Sequence, residues 1–518
     1  MKKPLPIGIQ AFGKIVEGGF LYVDKTRHVY RLLTEGQVYF LSRPRRFGKS
    51  LLISVLEAIF QGRREWFKGL WIDTSDYSWD PHPVIRVDFT QFRVEDGDGL
   101  KRALVQRMQE VAEAAGLSIE EADYQKQFRD LIRRLSSRGK VVVLVDEYDK
   151  PIIDNIENTA RAVEVREVLK GFYGVLKGLD EYLRFVFLTG VSKFSKVGVF
   201  SGLNNLEDIT FSPEFAELPG ITGEELRRDF QDEIAGLAAR EHLTETDLLK
   251  KIAHWYDGFC FAANGENVYN PFSLLLVFKQ QRFANFWFET GTPTFLIRLL
   301  KTRGYDVREL EDLRADELSF SSYEVDDLRP VPLLLQTGYL TIKGYDPESR
   351  LFRLSYPNFE VENAFLKYLL DAFSSAENGR IGAYLWDLLT ALRERNLEIF
   401  FKVMRVFFAG IPYDIQIKRE RYYQTVFYLI FKLLGLQTGA EVRTSRGRID
   451  AVVEVKEGMY IFEFKMGGDA QSALNQARER GYAEPYLNQK KPVTLVGVVF
   501  GAEGQGVVDW KAEEADVF

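Results

Sequence analysis

Apolar residues are spaced in three ways along this chain, and each spacing predicts a different element. Gln37–Leu41, Val141–Val145 and Leu183–Leu188 are nearly unbroken apolar runs, which predicts strands covered on both faces in a parallel sheet. Leu51, Leu52, Val55, Leu56 and Ile59 recur at helical spacing just after Gly48-Lys49-Ser50. Helical spacing returns after Thr222, a good N-cap for Gly223-Glu224-Glu225-Leu226, and continues through Ile252 and Trp255; it returns again from Tyr422 to Leu434. Val331–Leu340 predicts a helix running into a strand Leu340–Lys343, then a turn at Tyr345-Asp346-Pro347 and a strand Leu351–Ser355. Strict alternation marks Gly447–Val455 and Met459–Lys465, the two strands of a hairpin broken at Lys456-Glu457-Gly458.

Alternation sorts the side chains of that hairpin. Ile449, Ala451, Val453 and Val455 with Tyr460, Phe462 and Phe464 form the core-facing set, so Asp450, Val452, Glu454, Ile461, Glu463 and Lys465 share the other face. Asp450 and Glu463 repel unless a cation lies between them, and hard oxygen ligands suit Mg²⁺ or Mn²⁺. A bound ion of this kind polarises a phosphodiester and lowers the pKa of a water, while Lys465 positions that water or steadies developing charge. Glu420, at the head of the apolar stretch from Tyr422, is a candidate further metal ligand. An exposed sheet face with an ordinary Glu-x-Lys ion pair fits the same residues.

Strand, basic loop Ser42–Phe47, Gly48-Lys49-Ser50 and helix follow one another in the order of a phosphate-binding loop. Backbone N–H groups of Arg45, Arg46, Phe47, Gly48 and Leu51 would cradle phosphates, Lys49 would reach the outer ones, and Ser50 would ligate Mg²⁺. Arg43 stands at the first glycine of G-x-x-x-x-G-K-S, which loosens the match because glycine lets backbone fold tightly around phosphate. The second apolar run ends in Asp146-Glu147. Asp146 would hold the Mg²⁺ through water and Glu147 would orient or activate the attacking water; a merely acidic strand-end turn is the alternative.

Two resemblances follow from these strings. Tyr22-Val23-Asp24-Lys25-Thr26, Arg43-Pro44-Arg45-Arg46-Phe47-Gly48-Lys49-Ser50, Asp146-Glu147-Tyr148-Asp149, Ser201-Gly202-Leu203-Asn204-Asn205, Trp255-Tyr256-Asp257-Gly258 and Tyr269-Asn270-Pro271-Phe272-Ser273 resemble the AAA-ATPase-like family of P-loop proteins. The resemblance implies ATP as ligand, tolerates Arg43, lays the Tyr22–Thr26 segment against the nucleotide, and suggests Leu188–Ser192 as a sensor strand. From about Ile411 to Phe500, Pro412-Tyr413, Glu420-Arg421-Tyr422-Tyr423, Arg446–Asp450, Phe462–Lys465 and Ala473-Leu474 through Gln476 to Tyr482 resemble the PD-(D/E)xK nuclease superfamily. It implies an active centre at Asp450, Glu463 and Lys465, with Gln476 either near it or merely solvated.

Composition narrows the picture further. At 46% hydrophobic and 28% charged residues the chain is globular, and its 518 residues suffice for three or four cores. No apolar stretch reaches eighteen residues and no signal-peptide pattern opens the chain, so a cytoplasmic, membrane-free protein is expected. One cysteine, Cys260 between Phe259 and Phe261, excludes a disulfide within the chain and reads as a buried thiol. Four histidines without ligand-like spacing argue against a histidine metal site. The net charge of −7 does not advertise nucleic-acid binding, yet Ile411–Lys491 carries 13 Lys and Arg against 10 Asp and Glu. Lys418, Arg419, Arg421, Arg443, Arg446, Arg448, Arg478 and Arg480 there are candidate phosphate contacts.

The expected architecture is multidomain α/β. It comprises a P-loop parallel sheet over 1–222, a helical lid over 223–300, a winged-helix-like module over 301–375 and a PD-(D/E)xK domain over 376–518. The expected protein binds and hydrolyses ATP and cuts nucleic acid with Mg²⁺, DNA ahead of RNA, with nucleotide state controlling the cut and a homo-oligomer compatible with the sequence. Two further readings stay open: a nucleotide-switched scaffold that binds without cleaving, and an ATP hydrolase that remodels a partner.

Overall fold

The computed structural model of the protein describes residues 2–120, 123–194, 199–200, 203, 205–287, 294–303, 305–321, 327–374, 381–409, 420–438, 442–443, 451–487, 491–501 and 506–515. Its contacts divide into two compact units, Met1–Thr292 with Leu310–Val361, and Pro293–Glu309 with Glu362–Phe518.

The first unit is built on five strands, β1 (Val38–Ser42), β2 (Val84–Asp88), β3 (Val141–Asp146), β4 (Leu183–Gly190) and β5 (Glu207–Asp208). They pair in the order β2-β3-β4-β1-β5, and every ladder is parallel. β1 and β3 are buried at every position, as their unbroken apolar runs require of strands covered on both sides. Helix Lys49–Phe60 follows β1 and sends Leu52, Val55, Leu56 and Ile59 into a core shared with Leu41, Leu144 and Phe187. On edge strand β2, the Arg107 guanidinium donates two hydrogen bonds to the Arg86 carbonyl, at 2.9 and 3.0 Å, covering part of an otherwise open edge.

Helices Gly223–Asp229, Gln231–Glu241, Glu245–Tyr256 and Pro271–Gln280 form a separate core, with the short strands β6 (Ile221–Thr222) and β7 (Val268–Tyr269) beside it. Thr222 caps the first helix in a full capping box: its hydroxyl accepts from Glu225 N, and the Glu225 carboxylate accepts from Thr222 N. Strands β8 (Leu313–Ala315), β9 (Thr341–Asp346) and β10 (Leu351–Ser355) make an antiparallel sheet in the order β8-β10-β9, preceded at β9 by helix Pro330–Thr337. The predicted helix Val331–Leu340 stops three residues early because Gly338 takes a left-handed C-cap, with φ 88°. β9 then runs through Tyr345 and Asp346, where a turn was predicted.

The second unit holds a mixed sheet, β11 (Val442–Arg443), β12 (Ala451–Val455), β13 (Gly458–Met466), β14 (Val493–Phe500) and β15 (Val507–Glu514), in sequential order. Only β13–β14 is parallel, and helix Ala470–Glu479 lies in that crossover. Both faces of the sheet are covered. Phe427 and Phe431 of helix Glu420–Thr438 pack on Phe462 and Phe464, while Leu474 and Ala477 of helix Ala470–Glu479 pack on Val452, Ile461 and Leu495. The hairpin face that carries Glu463 is therefore no exposed sheet surface, and that simpler expectation is corrected.

Candidate functional site

At the end of β1 the chain turns through a loop whose positive φ angles belong to Arg46 (68°) and Gly48 (91°); Arg43 is not among the positive-φ residues. Its side chain instead turns inward. The guanidinium donates to the carbonyls of Ser42 at 3.0 Å, Thr210 at 2.6 Å and Phe215 at 3.1 Å, and lies 4.1 Å from the centre of the Phe261 ring. Burial lowers its pKa to about 9. The first glycine of the usual pattern is thus dispensable here: Arg43 anchors the loop from behind, which accounts for its departure from that pattern.

The other loop residues divide by what their side chains do. Phe47 is buried with its ring 4.9 Å from Phe259 and 5.4 Å from Phe261, so only its backbone is available to a ligand. Arg46 lies 4.8 Å over the Phe272 ring; Arg45 is exposed, and its carbonyl accepts from the Trp287 indole at 3.1 Å. Lys49 is buried and folds back on its own loop, donating to the carbonyls of Arg43 (3.0 Å) and Pro44 (3.2 Å), with its ammonium 3.8 Å from Glu147. Gly48 is exposed, Ser50 and Leu51 half-buried.

Parallel pairing of β3 with β4 sets Asp146 beside Thr189, whose hydroxyl donates to one carboxylate oxygen at 2.8 Å. The other oxygen, Oδ2, is buried and has no hydrogen-bond partner among the described residues. Burial raises the Asp146 pKa, while the neighbouring Ser50 and Thr189 hydroxyls and the charge of Lys49 oppose the shift. A carboxylate oxygen without a donor, beside a serine hydroxyl and a lysine, suits a hydrated Mg²⁺ and an anionic ligand.

An apolar cavity of about 110 Å³ adjoins the loop, lined among others by Leu21, Tyr22, Lys25, Gly48, Leu51 and Pro271. Lys25 ties the two sides together: its ammonium meets the Glu225 carboxylate at 2.6 Å, the same carboxylate that closes the capping box. Burial lowers the Lys25 pKa and Glu225 opposes that shift. Sequence reading named the Tyr22–Thr26 segment but not this pair, because Glu225 is two hundred residues away and looks like an ordinary capping residue.

In the second unit, β12 and β13 pair with Ala451 opposite Phe462 and Val452 opposite Ile461. Glu463 is buried at 4% exposure and accepts from Gln476 Nε2; Lys465 donates to the Ser472 carbonyl (3.1 Å) and hydroxyl (3.0 Å). Gln476 and Ser472 lie four residues apart on one face of helix Ala470–Glu479, matching Glu463 and Lys465 two apart on one strand face. Gly497, the β14 partner of Glu463, permits this approach, since a Cβ there would come within 2.5 Å of the Ala470 carbonyl. The sequence leaves Gln476 open between a place near Glu463 and a solvated one, and its amide meets Glu463; Ser472 has no signal beyond its position one turn before Gln476.

Asp450 lies outside the described residues, and Glu420 is described only as the first residue of its helix. Among the described residues no three His, Cys, Asp or Glu side chains gather as a metal cage. Of the basic candidates, Arg478 pairs with Glu513 and Arg480 donates to the Tyr482 hydroxyl at 2.9 Å. Cys260 is buried, as expected, and no helix among the described residues is long and apolar enough to cross a membrane.

Comparison with known proteins agrees with both halves. A family described as predicted AAA-ATPase matches residues 6–200, and the PD-(D/E)XK nuclease superfamily matches residues 418–510. An uncharacterized protein in the vnfD 5' region of Azotobacter chroococcum mcd 1 is 40% identical over 533 residues, covering 99% of each chain. No solved structure matches. With a parallel-sheet unit carrying the Gly48-Lys49-Ser50 loop and a mixed-sheet unit carrying the Glu-x-Lys strand, the chain belongs to the family that joins a predicted AAA-ATPase domain to a C-terminal PD-(D/E)XK nuclease superfamily domain.

Proposed function

We propose that the protein binds ATP with Mg²⁺ and hydrolyses it, and that its C-terminal domain is a metal-dependent nuclease whose activity follows the nucleotide state. The observation that carries the nucleotide reading is the buried, donor-free Oδ2 of Asp146 beside Ser50 and Lys49. On ATP binding, Lys49 exchanges the Arg43 and Pro44 carbonyls for phosphate oxygens, and the backbone of Arg45–Ser50 receives the phosphates. Ser50 and Asp146 would hold the Mg²⁺, which neutralises phosphate charge when bound. Glu147 orients the attacking water, and the cavity bounded by Tyr22 and Leu51 takes the base. The helices from Gly223 to Gln280 act as the lid. The helix-plus-hairpin of Pro330–Ser355 serves as the winged-helix-like module that packs on the nucleotide domain and reports its state.

The nuclease reading rests on Glu463, a buried carboxylate that accepts from the Gln476 amide. The alternation of the hairpin sequence assigns Asp450 and Glu463 to one face. Asp450, Glu463 and Glu420 would then hold Mg²⁺ or Mn²⁺, and the chemistry such an ion supplies is an activated water and a polarised phosphodiester. Lys465, held by Ser472, steadies developing charge. Nucleic acid is the substrate, DNA ahead of RNA.

The test is cleavage of DNA and RNA with Mg²⁺ or Mn²⁺, with and without ATP, for the natural chain, Asp450→Ala and Lys49→Ala. Loss in Asp450→Ala together with an ATP response abolished in Lys49→Ala supports the whole reading. ATP binding without cleavage under any condition replaces it with the nucleotide-switched scaffold.

A further inference from the structure

The turn after β3 holds a feature that the roles assigned above leave unused. Glu147 is a non-glycine residue with φ 52°, a left-handed conformation that surrounding structure must impose. Two residues later Asp149 is wholly buried, yet among the described residues no basic side chain pairs with it and Lys49 acts on it only through its charge. Its carboxylate accepts from Val191 N at 3.2 and 3.1 Å, from Ser192 N at 2.7 Å and from Ser192 Oγ at 2.6 Å, all just past the end of β4. Tyr148 joins the same segment. Its backbone N–H donates to the Thr189 carbonyl at 2.9 Å, its hydroxyl donates to the Ser192 carbonyl at 3.1 Å, and that hydroxyl accepts from Phe194 N at 3.1 Å.

Gly190 makes the contact possible. A Cβ at that position would lie 2.6 Å from both Asp149 Oδ1 and Tyr148 Cδ1. The ends of β3 and β4 are therefore stapled by several hydrogen bonds on one side of Glu147, while β3 itself holds the other side through Asp146 and Thr189. Between these two fixed points Glu147 has little freedom but the left-handed turn that brings its carboxylate to 3.8 Å from the Lys49 ammonium.

We propose that Asp149 is a positioning residue for ATP hydrolysis: by binding the backbone of Val191 and Ser192 it holds the acidic turn in the conformation that presents Glu147 to the attacking water. The inference rests on the hydrolysis reading above and deepens it. Asp149 itself touches no substrate; it acts through Glu147 and through the alignment of the β4 end with it. Asparagine at this position keeps one accepting oxygen, uncharged, and puts its amide N–H₂ where the other carboxylate oxygen faces Val191 N–H, so the isosteric change weakens the staple without emptying the space.

The test uses the full-length chain with Asp149→Asn, Ser192→Ala, Glu147→Gln and the Asp149→Asn/Glu147→Gln double variant. Mg-ATP affinity is measured by calorimetry and turnover by phosphate release. Expected is an Asp149→Asn protein whose ATP Kd stays within about threefold while kcat falls about ten- to a hundredfold, as small misplacements of a reacting group do. Ser192→Ala, which removes one donor and leaves two backbone ones, falls between it and the natural chain. The double variant is no slower than Glu147→Gln alone, because both changes act through one group. Natural-level kcat in Asp149→Asn overturns the proposal, and so does a double variant slowed by the full product of the two single effects. Should Asp149→Asn not fold, Ser192→Ala with unchanged kcat overturns it equally. A natural chain that binds Mg-ATP without any turnover overturns the hydrolysis reading itself.

Discussion

Single residues in this protein act mainly by where their polar atoms end up. Arg43 shows the point: a residue that breaks a sequence pattern is the loop's anchor. Arg43→Gly, which restores the usual pattern, removes three hydrogen bonds to carbonyls and a stacked ring. Breaking a buried charged network of that kind costs ~3 kcal/mol or more, so urea denaturation of the first unit is expected to shift to markedly lower midpoints. Asp149 predicts a pH dependence. Burial raises its pKa to about 6 from 3.8, so between those values the native state binds the proton that the unfolded state has released. The contribution of this group therefore falls as pH rises through that window, by about 3 kcal/mol in total, and is constant above it. The difference in unfolding free energy between the natural chain and Asp149→Asn should slope between pH 4 and 6 and be flat from 7 to 8. A flat difference throughout would mean the carboxyl titrates as it does when unfolded.

At the scale of elements, one helix organises the candidate nuclease site. Ala470–Glu479 supplies both Ser472 and Gln476, and it reaches them to β13 only because Gly497 offers no Cβ. Gly497→Ala forces the helix outward, with an overpacking cost of ~1–3 kcal/mol. It should also lower nuclease activity more than Ser472→Ala or Gln476→Ala alone, since both contacts move together. Gln476→Ala removes the amide donor to the buried Glu463, a loss of ~1–3 kcal/mol that thermal denaturation of the C-terminal domain would register. Activity in Gly497→Ala equal to the natural chain would show that helix placement is not what sets Glu463 and Lys465.

At the scale of the whole chain, one polypeptide joins a predicted AAA-ATPase domain to a PD-(D/E)XK nuclease superfamily domain, and nearly all of it is shared with a relative at 40% identity. Control of cleavage by nucleotide state, as proposed above, requires both domains on one chain, and the match over the full length meets that requirement. ATP should raise the melting temperature of the natural chain in proportion to the logarithm of its concentration above Kd, and should leave that of Lys49→Ala unchanged. If nuclease activity proves indifferent both to ATP and to Lys49→Ala, the units work independently.

The sequence by itself determined the elements and the strings. The apolar runs of β1, β3 and β4 and the alternation of β12 and β13 are local patterns set by side-chain period, and the P-loop and Glu-x-Lys strings lie within single turns or strands. Boundaries drifted where one backbone angle decides, as at Gly338. Only the tertiary structure decided what long-range packing brings together: Arg43 against Thr210 and Phe215, Lys25 against Glu225, Asp149 against Ser192, and Ser472 against Lys465. Each of these pairs joins a residue with no distinguishing local context to one on another element. Hydrophobic periodicity reports which face of an element is buried, but not which polar atom from elsewhere in the chain will satisfy it once water is excluded.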